Sequence, residues 1–356
     1  MSNSTEQTSI MNELEVYLSH LNVSNHKLIN QFLNSFKDYL ITCGQILSKI
    51  EQPGHIYNLG LQNQLIYETD KFLLTADKLE NVVPFDAKIK IRDIFRTIVG
   101  KYLFQSQILK RFYEKPRGYA GDYMMFEQMY DAKPVSQGVG IYFDYYVFRH
   151  SIVESVVYRK EKIKRILTGI LDSNPKGSSP IKILNIGCGG AREVRELFND
   201  NDFPGNVDFT LMDQDSEGLN YARSSLKIVR KKNVKFHFIQ KNAMEMIGFS
   251  RKPVEKNSYD VIYSLGIVDY FLDNVFSRFI KHCYDMLKPN GRLIIAACSS
   301  RDMTIYIALR WLCEWNFYYR DAERVKKVID ETIESPSVGI TWEEKKQIFF
   351  INLNKV

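Results

Sequence analysis

Residues 183–194 read ILNIGCGGAREV: a short apolar run delivers Gly187, then Gly189 and Gly190, and a helical pattern begins at once. Glycines in such a strand-to-helix turn let the backbone reverse tightly and let a ligand approach with no β-carbon in the way. A tight turn that holds no ligand would use the same residues, so the surroundings decide. From residue 181 onward, the runs IKILNIG, VDFTLMD, VKFHFIQ, YDVIYSLG and RLIIAACSS read as strands. Between them lie the helical AREVRELFND, SEGLNYARSSLKIVR and NVFSRFIKHCYDMLK, with Pro289-Asn290-Gly291 as a turn. Helices at about 303–316 and 320–333 precede VGITWEE and KQIFFINLN, a closing pair of strands. This alternation predicts an α/β fold with a doubly wound sheet. Seven candidate strands with a hairpin-like ending differ from a six-stranded dinucleotide fold.

Upstream the pattern is helical. Over residues 8–113, Leu14, Tyr17, Leu18 and Leu21 share one stripe, as do Leu28, Phe32 and Phe36. Pro53-Gly54 breaks the pattern, and two helices are expected over 61–80 and 86–113. Between 114 and 150, tyrosines and phenylalanines crowd among Gly118, Gly121, Gly138 and Gly140, as in a pocket wall or lid. A helix over 149–172 then leads into the polar DSNPKGSSP. The expected division is therefore an α-helical N-terminal domain (1–113), an aromatic-rich lid with connecting helices (114–172), and the Rossmann-like domain (173–356).

A net charge of +6 suits an anionic small ligand, and no arginine-rich arm or basic–aromatic repeat argues for nucleic acid. The basic run VRKKNVK (229–235) reads as a solvated helix end. Five scattered cysteines without a C-x-x-C fit reduced thiols in a cytoplasm. MSNSTEQTS lacks the features of a signal peptide, and no apolar run approaches the ~20 residues of a membrane span. The six histidines are isolated from one another, so no metal is expected.

The ends of the strands carry the chemistry. Asp213 closes the second strand, where an acid reaches ribose hydroxyls, a feature that also suits NAD. The dinucleotide fingerprint wants a third glycine at position 192, and this chain has Arg192. Asn242 follows the third strand, placed to reach an adenine edge, and Ser264 to Gly266 end the fourth.

In these residues the chain resembles the class I S-adenosylmethionine (SAM)-dependent methyltransferases. ILNIGCGG matches that family's first motif, Asp213 its ribose acid and Asn242 its adenine position. DMLKPNGRLII looks like its helix–turn–strand signature, with Asn290 where the first of two glycines stands; Asn also accepts positive φ. The resemblance implies a seven-stranded Rossmann-like sheet preceded by the helical domain, and SAM as cofactor. It implies SAM contacts at Gly187, Cys188, Gly189, Gly190, Asp213, Gln214, Asn242, Ala243, Ser264, Leu265 and Gly266, with Arg117 and Tyr119 added from the lid.

Three further stretches, KPRGYAGDYMMF, LGIVDYFLDN and WNFYYRD, resemble a bacterial group of these enzymes that includes extracellular-factor biosynthesis proteins. The matching residues are Gly118-Tyr119 with Gly121-Asp122-Tyr123, Gly266 with Asp269-Tyr270, and Trp315 with Tyr318 and Tyr319-Arg320. The last fits once one residue of spacing is allowed, and Gly190-Ala191 replaces a frequent Pro-Ala. This resemblance implies carboxyl methylation of a fatty or hydroxy fatty acid, with Tyr119, Asp122, Tyr123, Asp269, Tyr270 and Arg320 at the reacting centre.

Arg320 could grip a carboxylate bidentately or be a surface arginine. Asp269 could face the acceptor or cap the helix starting near 274. Met124, Met125, Phe126 and Met129 could line an acyl channel or form core. N-methylation of a small amine is a second reading, with Asp122 or Asp269 holding the ammonium and Tyr119 or Tyr123 facing it. A third is a non-catalytic SAM-binding protein whose N-terminal helices dock another protein. A small-molecule acceptor and a homodimer through those helices are the expected partners.

Overall fold

The computed structural model of the chain describes residues 2–21, 25–52, 57–246, 256–302, 306–334 and 336–356. In chain order its first elements are α1 (Ser2–His20), α2 (His26–Ile50), α3 (Leu59–Glu80), α4 (Phe85–Leu103) and α5 (Gln107–Glu114). Then come α6 (Tyr123–Asp131), α7 (Gly140–Phe148), α8 (Ser151–Asp172), β1 (Ile181–Ile186), α9 (Arg192–Asp200) and β2 (Val207–Asp213). These lead to α10 (Ser216–Ser225), β3 (Val234–Gln240), α11 (Ala243–Met246), β4 (Tyr259–Ser264), α12 (Asp273–Met286) and β5 (Leu287–Cys298). The last are α13 (Ile307–Cys313), α14 (Ala322–Thr332), β6 (Ser337–Trp342) and β7 (Ile348–Asn354). The expected break at Pro53-Gly54 lies outside the described residues.

These elements form two compact units that interleave along the chain. One takes residues 1–120, 132–150 and 303–316; the other takes 121–131, 151–302 and 317–356. These units cut across the expected three-part sequential division. The aromatic stretch is shared out, α6 to the sheet unit and α7 to the helical unit, and α13 joins the helical unit from far along the chain.

In the helical unit, the stripe residues Phe32 and Phe36 are fully buried beside Phe72, Phe95 and Trp311. Trp311 stands edge-on to Phe72 and to Phe95, each at 5.3 Å, and its Nε1 donates to Glu80 at 2.6 Å. The helix expected over 86–113 is broken into α4 and α5. Ser106 caps α5 by accepting from Leu109 N–H at 3.1 Å, while its own hydroxyl donates to Asp144 at 2.6 Å. Asp144 is fully buried and also accepts from Val135 N–H and Ser136 N–H, both at 2.9 Å. A buried carboxylate needs such donors, and an uninterrupted helix could not deliver the Ser106 hydroxyl to it.

The sheet unit has the strand order β3-β2-β1-β4-β5-β7-β6. β1 to β5 run parallel, and β7 lies antiparallel between β5 and β6, as expected of a closing strand pair. Strand order reverses between β1 and β4, the switch point where open α/β sheets bind ligands at the carboxyl ends of their strands. The expected turn at 289–291 is a bulge inside β5, since Tyr259 pairs with Leu287 but Val261 with Arg292. Asn290 occupies the left-handed region there (φ 62°), as an Asn tolerates.

α8 is joined to α9 by charge. Glu196 accepts from Lys160, from Lys164 at 2.9 Å and from Arg192 Nε at 2.7 Å. Partial burial opposes ionisation, but these cations outweigh it and hold the Glu196 carboxyl down at about 2. The folded state therefore takes up this proton less readily than the unfolded chain. The stabilisation is present above the ordinary glutamate value and is lost as pH falls toward 2. Glu196→Gln should remove about 1–2 kcal/mol at neutral pH, after allowance for solvent screening. Denaturation midpoints of the variant should then vary less than those of the parent between about pH 4.5 and 2.

Candidate active site

The glycine turn closes against two neighbouring segments. Gly187 has φ +73°, and a β-carbon there would stand 2.7 Å from Ile267 Cγ2, in the loop after β4. A β-carbon on Gly190 would meet Glu127 Oε1 and the Tyr221 ring at 3.1 Å. The turn is also held from β2. Asp213 is buried; its Oδ2 accepts from Gly189 N–H at 2.7 Å and its Oδ1 from Asp215 N–H at 2.9 Å. Burial pushes its carboxyl above the usual range, although these bonds pull the other way. Each carboxylate oxygen keeps a further acceptor position, so a ribose diol remains chemically compatible with it. Next to it, Asn242 Nδ2 donates to Gln214 at 2.8 Å and Asn242 Oδ1 accepts from Met244 N–H at 2.8 Å, which orders the start of α11 at Ala243.

RGYAGDY divides between the units. Arg117 and Tyr119 belong to the helical unit, whereas Asp122 and Tyr123 begin the α6 segment of the sheet unit. Asp122 is fully buried and accepts from Met125 N–H at 3.0 Å, so it caps α6. Tyr123 packs on the glycine turn: its Cβ is 3.6 Å from where a β-carbon of Gly189 would be, and its ring centroid is 5.2 Å from that of Tyr221. Glu127, one turn on, accepts from Arg192 at 2.8 Å and from the Tyr221 hydroxyl at 2.9 Å. Sequence reasoning passed over Glu127, Tyr221 and Arg192's role as their partner. The available signal was an acid at i+4 from Tyr123, flanked by uncharged residues from Tyr123 to Tyr130.

At the end of β4, the Ser264 hydroxyl donates to Ile186 O at 2.8 Å, Leu265 O accepts from buried Arg159, and a β-carbon on Gly266 would lie 3.3 Å from Arg159 Nη1. Under the turn, buried Glu193 accepts from Asn185 Nδ2 at 2.9 Å and from the Tyr263 hydroxyl at 2.8 Å. Cys188 in the turn is buried, which pushes its thiol well above the ordinary value and suits packing rather than nucleophilic work.

Asp269 and Arg320 sit differently from expectation. Asp269 is buried and accepts from Cys298 N–H at 2.8 Å, which ties the loop to β5. It does not cap α12, whose preceding residue is Leu272 without a side-chain cap. Arg320 is no surface residue and offers no open grip. It is 4% exposed; Nε donates to Asp273 at 2.9 Å, Nη1 to Val268 O and Tyr318 O at 3.1 and 3.2 Å, and Nη2 to Phe271 O. Four of its five N–H groups are thereby engaged, and its role is corrected to a clamp on the loop that bears Asp269 and Tyr270. Tyr270 itself is partly exposed, with its ring 5.5 Å from that of Phe317. Met125 and Met129 are core, which removes them from the suggested acyl channel.

Among the described residues, no group of three His, Cys, Asp or Glu side chains is placed to hold a metal ion. Among the same residues, no helix is long and apolar enough to cross a membrane.

Residues 178–351 match the family model described as a methyltransferase domain. No curated protein sequence matches the chain. Among solved structures, a possible exported protein from Bordetella parapertussis is similar at 14% identity and a TM-score of 0.54, over 90% of this chain and 96% of that one. Magnesium protoporphyrin IX methyltransferase from Synechocystis PCC 6803, with bound SAM, is similar at 13% identity and a TM-score of 0.41, over 58% of this chain and 84% of that one. The 1,6-didemethyltoxoflavin-N1-methyltransferase of Burkholderia thailandensis is similar at 12% identity and a TM-score of 0.38, over 56% and 78%.

Proposed function

With residues 178–351 forming a class I methyltransferase domain that uses SAM, we propose that the chain methylates the carboxylate of a fatty or hydroxy fatty acid to give a methyl ester. One observation carries this choice of acceptor: Asp122 and Asp269, the two acids suggested for an amine, are buried and turned to backbone N–H groups. An amine arrives protonated near neutral pH and needs an open carboxylate to hold it and a base to free its lone pair. A carboxylate arrives ionised and needs only positioning and exclusion of water.

In this reading SAM supplies a methyl group on a sulfonium that is displaced in line. Asp213 takes the ribose diol, and Gln214, Asn242 and Ala243 face the adenine. Gly187 to Gly190 and Ser264 to Gly266 would border the methionine portion. Tyr123, from α6, and Tyr270, beside Phe317, flank the acceptor and exclude water from it.

Full-length protein incubated with methyl-labelled SAM and separate pools of fatty acids, amines and proteins tests this reading. Base-labile label in the fatty-acid pool is the expected result. Base-stable label in the amine pool, or SAM binding without transfer to any pool, would overturn it.

A further inference from the structure

We propose that the sheet unit carries a second ligand site, a groove between α8 and strands β5, β7 and β6 that binds a phosphate dianion, free or as a small monoester. The groove has a volume of about 450 Å³ and is lined by Lys162 and Arg165 of α8 together with Arg292, Thr341, Trp342 and Asn352 of the strands. The pairings Ile294↔Asn352 and Thr341↔Phe350 place Arg292, Asn352 and Thr341 on one face of the sheet. Gly339 pairs with Asn352 on that face, and a β-carbon there would meet nothing closer than 3.9 Å, so the floor stays open.

What marks the groove is an excess of cations over carboxylates. Arg292 donates from Nη2 to the neutral Asn352 Oδ1 at 2.7 Å, while its Nε is buried with no acceptor. Lys162 donates to Trp342 O at 2.8 Å and lies 5.6 Å from the centre of the Phe350 ring. Neither cation makes an ion pair among the described residues, although Glu344 and Glu343 both lie near enough to Lys162 to favour its charge. Only Arg165 makes one, at the rim, with Glu344. Partly desolvated cations are ordinarily paired, because removing a charge from water costs more than a neutral acceptor returns. Burial holds the protons of both Arg292 and Lys162 less firmly than usual, for Lys162 in spite of Glu344 and Glu343 nearby.

Three cations against one carboxylate leave a net charge of about two, which a phosphate dianion neutralises. Lys162 and the Arg292 guanidinium supply charged donors and the Thr341 hydroxyl a neutral one, while the Trp342 ring packs on Phe349 on the other face of the sheet and leaves only its backbone to the groove. The site is separate from the cofactor turn. Arg292 precedes Cys298, at the carboxyl end of β5, by six residues, or roughly 20 Å of strand.

Titration of the full-length protein with glycerol 3-phosphate and with inorganic phosphate, against sodium chloride at matched ionic strength, tests the site by calorimetry. Saturable binding is expected, with Lys162→Gln and Arg292→Gln each weakening it about tenfold or more while SAM affinity stays at the parental value. Preference for glycerol 3-phosphate would assign the site to a monoester, and equal or tighter binding of inorganic phosphate would assign it to the free ion. No binding above chloride, or parental affinity in both variants, would overturn the site altogether. Should Arg292→Gln fail to fold, Lys162→Gln on the α8 side decides alone.

Discussion

Asp213→Ala is expected to weaken SAM binding about 100-fold while leaving the sheet folded. Its carboxylate receives N–H groups from Gly189 in the turn after β1 and from Asp215 before α10, so one side chain fixes the ends of two adjacent strands. Hydrogen bonds to an ionised group contribute about 1.5–3 kcal/mol each. Loss of either leaves the glycine turn free to sample other conformations, which the ligand must then reorder. In the proposed reading the same change also deletes the acceptor of the ribose diol. Asp213→Asn separates the two contributions: it keeps one acceptor oxygen but turns an amide toward the second N–H. It should therefore fall between parent and Asp213→Ala in a calorimetric titration. Parental SAM affinity in both variants would remove Asp213 from the site.

The second large effect belongs to Arg320 and concerns stability. Arg320→Ala would deprive Val268 O, Phe271 O and Tyr318 O of their common donor and break the bond to Asp273. A loss of about 2 kcal/mol follows from stranding Phe271 O and breaking the Asp273 pair, since Val268 O still accepts from Phe271 N–H and the Tyr318 bond is part-buried. Arg320→Lys should recover less than half, because an ammonium cannot fork toward several carbonyls at once. Denaturant midpoints measure both variants. Methyl transfer should fall in parallel with stability, since the clamped loop bears Tyr270. A parental midpoint combined with lost transfer would restore Arg320 as the acceptor's carboxylate grip.

The two residues also show what a sequence can and cannot carry. The strand ends were legible because alternation of strand and helix locates them, and Asp213 could be placed beside the glycine turn without knowing its partners. The hairpin β6–β7 was legible for the same reason. Arg320 was visible as a motif residue, but whether a guanidinium faces a pocket or four acceptors of its own protein depends on loops distant in sequence. Asp122 has the same ambiguity, since an acid before a helical run is both a ligand candidate and a cap. The break between α4 and α5 was hidden because the apolar stripe continues through it; buried Asp144, dozens of residues later, explains it. Glu127 was missed because its partners, Arg192 and Tyr221, approach only when α6 lies on the turn.

The assignment of residues 303–316 to the helical unit bears on the order of biosynthesis. Phe32, Phe72 and Phe95 emerge from the ribosome early, but Trp311, the ring against which all three pack, emerges only after β1 to β5 have been made. Vectorial folding from the N-terminus therefore cannot finish the first unit first. The nascent helices must wait with part of their aromatic surface uncovered while the sheet is translated.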